Sequence, residues 1–304
     1  MRCLELKSYI FQFRGDLIPA TKALEEGLSI VRALDQSPQE ALLNQSLAGV
    51  LLLKGKVTEA ASLSFSAQQY YEANDDYPHL IDTLVFQSYT SISQKDFINA
   101  QLPLDRAMEI DQLHNKRRER LNILYWKASG EGWAGNITAA LKILQEATKM
   151  EVVSATSQFD DYSTAIQGRA YYEARIGRFD DARSSISHAI ELRKESGEDF
   201  VGYFLSALIA NISGQREEAM SIIQKLLEQY GGENRQLMAI GHRTLGELMW
   251  LEGKELQGRE QFAQAKAICD ETGISPKHLY ANKTHWFSLP LECGGDRFLD
   301  DFLC

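Results

Sequence analysis

The chain has 304 residues, of which 44% are hydrophobic, 24% charged and 10% aromatic, with only 6 prolines and 21 glycines. This is enough apolar material for a sizeable core and excludes wholesale disorder, while the length suits either two ordinary domains or one elongated array. Lys+Arg 32 against Asp+Glu 42 leaves a net charge of −10, which argues against a sequence-independent grip on nucleic acid or anionic lipid and suits a basic or neutral partner. Cys3, Cys269, Cys293 and Cys304 form no CxxC pair, so reduced thiols in an intracellular, cytoplasmic protein are expected, and zinc is not. No signal peptide is visible in Met1-Arg2-Cys3-Leu4-Glu5-Leu6-Lys7. The longest apolar run, 47–53, falls far short of the roughly 20 residues of a membrane-spanning helix.

One turn motif recurs along the chain: glycine, a polar residue, an apolar residue, two more, then a small residue. It opens at Gly15, and Ser37-Pro38-Gln39-Glu40 then marks a helix start as a capping box with proline in the first turn. The second copy turns at Gly55, and Pro78 lies near the next helix start. The third turns at Lys95, with Asp96 placed to begin a helix. The basic run Lys116-Arg117-Arg118-Glu119-Arg120 falls in the link to the fourth, where it reads as a solvated helix start. The fourth, fifth, sixth and seventh turn at Gly135, Gly177, Gly214 and Gly253, with Gly197, Gly231-Gly232 and Gly273 placed to stop second helices. Turns at 15, 55, 95, 135, 177, 214 and 253 give a period near 40. Beyond 273, Ser275 to Phe287 can form one more helix capping the seventh pair. Pro290 ends that segment (274–290), and 291–304 is a tail carrying Phe298, Leu299, Phe302 and Leu303 around Asp300 and Asp301.

The pattern extends beyond the turn. Seven residues before it stand Ser8, Ala48, Ser88, Ala128, Ala170, Ala207 and Gly246, and five after it Ala20, Ala60, Ala100, Ala140, Ala182, Ala219 and Gly258. Nine after it stand Leu24, Leu104, Leu144, Ile186, Ile223 and Phe262, with Ser64 the departure. Small residues let two helices approach while large apolar ones fill the gap, so each unit reads as an antiparallel helix pair and the chain as about fourteen helices in seven pairs.

These residues carry a family resemblance. Ile176-Gly177-Arg178-Phe179-Asp180-Asp181-Ala182 and Leu53-Lys54-Gly55-Lys56-Val57-Thr58-Glu59-Ala60 resemble the tetratricopeptide repeat over roughly residues 1–273. The resemblance implies an all-α, right-handed superhelix (α-solenoid) of seven helix pairs with a C-terminal capping helix. The period exceeds the usual 34 residues, and the aromatic expected four residues before the turn survives as Phe11, with Glu131 and Glu173 among its replacements. Longer units of this kind look like the sensor arm of signal-transducing NTPases and the cargo-binding arms of some adaptors.

In the family the groove-facing residues lie thirteen, ten, six and three positions before the turn. Carried over residue by residue, the resemblance implies aromatic groove candidates Tyr9, Tyr89, Tyr125, Tyr171, Phe204 and Trp250. The polar candidates are Gln12, Gln45, Asn122, Gln167, Asn211 and Arg243. Tyrosine joins apolar area to a hydroxyl, and amide side chains bond a peptide backbone, so this lining suits a polypeptide segment, unless the aromatics pack between neighbouring units. The chaperone-tail carboxylate clamp is absent, since its places hold Glu5, Gln45, Val85 and Leu6, Ser46, Phe86.

No phosphate loop, GxGxxG, HExxH or GxSxG occurs, and His278, His285 and Cys293 match no zinc spacing, so neither catalysis, metal nor cofactor is expected. The first helix leaves Leu4, Leu6, Ile10 and Phe13 half exposed unless an upstream domain, a partner or a second copy covers them. The expected function is a non-enzymatic scaffold holding a segment of another protein in its concave groove, with no nucleic-acid or membrane partner. The alternatives are a sensor arm of a signalling NTPase binding a small effector, and an atypical enzyme built into the superhelix.

Overall fold

The computed structural model describes residues 2–94, 96–114, 119–149, 156–193, 200–230 and 234–275. Among them are fourteen helices and no strand. The first eight are α1 (Arg2–Arg14), α2 (Leu17–Ala33), α3 (Ser37–Leu53), α4 (Val57–Ala73), α5 (Tyr77–Ser93), α6 (Phe97–His114), α7 (Arg120–Trp133) and α8 (Ile137–Ala147). The others are α9 (Thr156–Arg175), α10 (Phe179–Arg193), α11 (Phe200–Ile212), α12 (Arg216–Tyr230), α13 (Arg235–Leu251) and α14 (Glu255–Thr272). By compactness the chain divides into two units, one of residues 1–63 together with those from 206 on, the other of 64–205.

The recurring turn has one backbone cause. Gly15, Gly55, Gly135, Gly177, Gly214 and Gly253 all carry a positive φ, between 76° and 93°, which a residue without Cβ adopts cheaply. This left-handed residue folds the backbone back onto the helix it ends: at the second turn Gly55 N–H donates to Leu52 O (2.9 Å) and Lys56 N–H to Leu51 O (2.8 Å). Orphan carbonyls are thereby satisfied while the chain reverses. The Lys95 copy lies outside the described residues.

The small residues mark where paired helices come closest. Ser8, Ala20, Ala48, Ala60, Ser88, Ala100, Ala128, Ala140, Ala170, Ala182 and Ala219 are all completely buried. The limiting case is α13 against α14: a Cβ on Gly258 would lie 2.9 Å from Gly246 O, and one on Gly246 would lie 2.8 Å from the Phe262 ring. The large residues nine after the turn fill the remaining space, Leu24, Leu104, Leu144, Ile186, Ile223 and Phe262 being buried.

Ser64 takes that filling position with a hydroxyl that meets no hydrogen-bond partner among the described residues, although the residue is 0% exposed. A buried, unsatisfied hydroxyl costs about 1–3 kcal/mol. Ser64→Ala is therefore expected to stabilise the chain by about 1 kcal/mol, read as a rise in the urea midpoint at unchanged slope.

Three local expectations need correction or completion. Ser37 is not an N-cap: α3 starts on it, Gln36 holds the capping position without a side-chain bond, and no capping box forms. Glu40, which would have closed the box, instead accepts from Arg32 Nε at 2.7 Å across the α2–α3 link. Asp96 does cap α6, accepting from Asn99 N–H at 3.2 Å. Ile274 and Ser275, at the start of the expected capping segment, are not helical, and the rest of that segment and the tail lie outside the described residues. So do Gly197, Gly231-Gly232 and most of the 116–120 basic run, whose described member Arg120 donates to buried Asp111 (2.6 Å). Among the described residues no helix is long and apolar enough to cross a membrane.

Candidate ligand-binding inner face

In the 64–205 unit an aromatic belt runs across α5, α7 and α9 and includes the candidates Tyr89, Tyr125 and Tyr171. Phe86 and Tyr89 stand with ring centroids 6.3 Å apart, Tyr89 and Trp126 4.9 Å apart, and Tyr125 and Trp126 5.2 Å apart. Tyr171 packs edge-on to Tyr172 at 5.0 Å, and Tyr172 Oη donates to Ala128 O (3.4 Å), tying α9 to α7. Edge-on and tilted pairs place a positive ring edge on a negative ring face, so the belt is electrostatically matched as well as apolar. Burial raises the phenols of Tyr89 and Tyr172 above the ordinary range, and in both cases the neighbouring Tyr125 adds to the effect. These hydroxyls therefore stay protonated.

Tyr89, Tyr125, Tyr171, Phe204 and Gln167 are all buried. Asn122 and Phe86 are half-buried. Arg175, also half-buried, donates to Tyr171 Oη at 3.1 Å and lies over that ring at 5.9 Å. Trp126, Tyr172 and Arg175 are not among the sequence candidates. The paired aromatics Tyr125-Trp126 and Tyr171-Tyr172, with an arginine four residues beyond Tyr171, are the signal that points to them.

Glu173, in a place where the repeat usually carries an aromatic, is buried on α9. Its two oxygens accept from Arg169 Nε (2.7 Å) and from Ser185 Oγ on α10 (2.8 Å). A charge-assisted bond inside the pair thus replaces a ring. Glu131, another such replacement, accepts from Asn136 Nδ2 at 2.9 Å across its own turn.

In the other unit the candidates are distributed differently. Arg243 on α13 is completely buried and its Nε donates to Glu247 Oε1 at 2.8 Å. Burial pushes the Glu247 carboxyl up from its ordinary value, and the Arg243 charge opposes that shift. Trp250, one turn on, is half-buried with the Arg259 guanidinium 5.1 Å from its ring centroid. Asn211 Oδ1 accepts from Arg216 Nε (3.2 Å), and Arg216 continues to Leu251 O (3.2 Å) and Glu252 (2.7 Å), so Asn211 belongs to a staple between the sixth and seventh pairs. Gln45 is half-buried on α3, and Gln12 Nε2 donates to Ser8 Oγ (3.0 Å). Tyr9 is 66% exposed and Leu6 61%, which puts them with Ile10 on an open face of α1. Among the described residues no group of three His, Cys, Asp or Glu side chains is placed to hold a metal ion.

The chain is similar in fold to known helical-repeat proteins. A tetratricopeptide repeat protein from Parabacteroides merdae superposes with a TM-score of 0.55 at 17% identity, covering 100% of this chain and 98% of that one. The fold is the tetratricopeptide-type solenoid. The Rap conjugation regulator of plasmid pLS20, solved in complex with the Phr* peptide, matches this solenoid with a TM-score of 0.65 at 12% identity, over 87% of this chain and 72% of its own. A STAND-type ATPase with a tetratricopeptide sensor from Pyrococcus horikoshii matches at 0.56 and 14% identity, over 98% of this chain and 50% of its own. No family model matches the chain, and no curated protein matches it significantly.

Proposed function

We propose that this solenoid is a non-enzymatic binding module that holds a polypeptide segment against the inner face of its first helices. The observation that carries the reading is the belt of Tyr89, Trp126, Tyr125 and Tyr171 across three successive first helices, rimmed by half-buried Asn122 and Arg175. An apolar floor takes side chains, while an amide and a guanidinium at the rim bond the carbonyls and N–H groups of an extended or helical chain. The peptide-bound Rap regulator supports the reading by fold alone. The net charge of −10 favours a basic or neutral segment, through steering more than through affinity.

Truncating the buried tyrosines would confuse binding with folding, so the test uses the rim. Peptides selected from a displayed library against the whole chain are titrated against Asn122→Ala and Arg175→Gln, with Ser64→Ala as a control away from the belt. About tenfold weaker binding in the rim variants, with the control unchanged, is the expected result. Equal affinity in all three, or no selectable peptide, defeats the reading. The match to the ATPase sensor favours one alternative, a sensor arm taking a small effector. Its distinguishing result is a nucleotide-binding domain encoded in the same reading frame.

A further inference from the structure

In a repeat stack each unit ordinarily touches only its neighbours. Within the unit made of residues 1–63 and those from 206 on, the seventh pair instead touches the first and second. Three contacts make this junction. A Cβ on Gly15, in the α1–α2 turn, would lie 2.6 Å from the backbone nitrogen of Gln236 in the first turn of α13. Gly273, the left-handed residue that ends α14 (φ 79°), stands with its Cβ position 3.0 Å from Ile18 Cγ1 on α2. Ser275 N–H donates to Leu53 O, the last carbonyl of α3, at 2.9 Å. The carbonyls of Val50, Leu51 and Leu52 are already taken by Lys54, Lys56 and Gly55, so Ser275 supplies the donor that the end of α3 still needs. Between these anchors Ile274 is 3% exposed although it belongs to no helix.

The geometry points to a clasp: Gly273-Ile274-Ser275 fastens the last helix pair to the first two, so that the two ends of this unit open together. A buried apolar side chain flanked by a backbone hydrogen bond and a glycine contact is a discrete docking element, present or absent as a whole. A stack without it would fray independently at each end; with it, the two ends open together. The coupling of the ends does not depend on the proposed function.

Cys269, one turn before the clasp on α14, is a native reporter. It is buried, and burial, reinforced by Asp270, pushes its thiol up to about 12, so alkylation at neutral pH is slow until the end of α14 opens. The experiment compares the whole chain with Ile274→Asp and Ser275→Pro, without ligand, by hydrogen exchange and by maleimide labelling resolved at Cys269. In Ile274→Asp, amides of 17–25 and 54–56 are expected to exchange about tenfold faster, together with faster Cys269 labelling, at unchanged far-UV helicity. Acceleration confined to 268–275 would reduce the segment to a local helix end and overturn the clasp. Should Ile274→Asp lose helicity, Ser275→Pro decides, since it removes the donor to Leu53 O at a residue outside any helix. Faster exchange at 54–56 sustains the clasp, and unchanged exchange there overturns it. Neither readout involves a peptide, so failure here is distinct from failure of the proposed function.

Discussion

Gly132→Ala is expected to destabilise the chain by about 3 kcal/mol, the upper end of what overpacking usually costs. Gly132 lies on α7, and a Cβ there would occupy the space of the Tyr172 hydroxyl and ring edge. Tyr172 is 1% exposed, is bonded to Ala128 O and packs against Tyr171, so no neighbouring space accepts it without unpacking α9 from α7. The distance is too short for a shift of a few tenths of an ångström to relieve. Double-mutant analysis separates this clash from helix propensity, which by itself favours alanine by about 1 kcal/mol. With Tyr172→Leu as background, which removes the hydroxyl and ring, the added cost of Gly132→Ala should fall below about 1 kcal/mol. An undiminished cost in that background, by urea unfolding, would show that Tyr172 is not what the glycine accommodates.

The second large effect lies on α13. Removing one member of a buried ion pair costs about 3–5 kcal/mol because the other charge stays in a poorly solvating site, whereas exchanging both for apolar residues is often neutral or stabilising. Glu247→Ala removes the Glu247 carboxylate from beside the completely buried Arg243, so a loss of about 3–5 kcal/mol is expected, while Arg243→Met combined with Glu247→Leu should lie within about 1 kcal/mol of the wild type. The pair also leaves a signature in pH. Burial raises the Glu247 carboxyl above its ordinary 4.5, so the folded state holds the proton more tightly than the unfolded state. The associated stability is present below the unfolded value and is lost as pH rises through the folded one. Stability should therefore fall with rising pH above 4.5 in the wild type relative to the double variant. Parallel pH profiles for the two would contradict the shifted carboxyl.

The same contrast between what repeats and what does not explains how far the chain can be read in advance. The positions of Ser8, Ala48, Ser88 and their equivalents recur because every pair meets the same steric demand at its closest approach, and a demand repeated at a fixed period is written into composition. The turn glycines recur for the same reason: each reversal needs one residue with a positive φ. Asp35 and Asp75 meet that need between pairs without glycine, at φ 53° and 54°, and carry no comparable signal. The family resemblance supplied offsets for the candidate positions, and these place Tyr89 and Tyr171 six residues before their turns and Tyr125 ten before its own.

Phase, however, states which way a side chain points and not how close the next helix stands. Only the packed structure decided that Tyr89, Tyr125, Tyr171, Phe204 and Arg243 are buried while Tyr9, at the same phase as Tyr89 and Tyr171, is exposed. It also decided that Glu173 could replace an aromatic, because the exchange depends on Arg169 and on Ser185 from the following helix. The clasp is the extreme case. A contact between Ser275 and Leu53 occurs once, so it leaves no period in the sequence, and it arises only when helix pairs far apart along the chain are brought together in space. The amino-acid sequence by itself determined the repeat, the turns and the close approaches within pairs, because these are local and recurrent. Burial of the aromatic belt and the contacts of Gly273 and Ser275 with α2 and α3 were decided by tertiary structure, because each depends on a neighbouring helix and none recurs with the period.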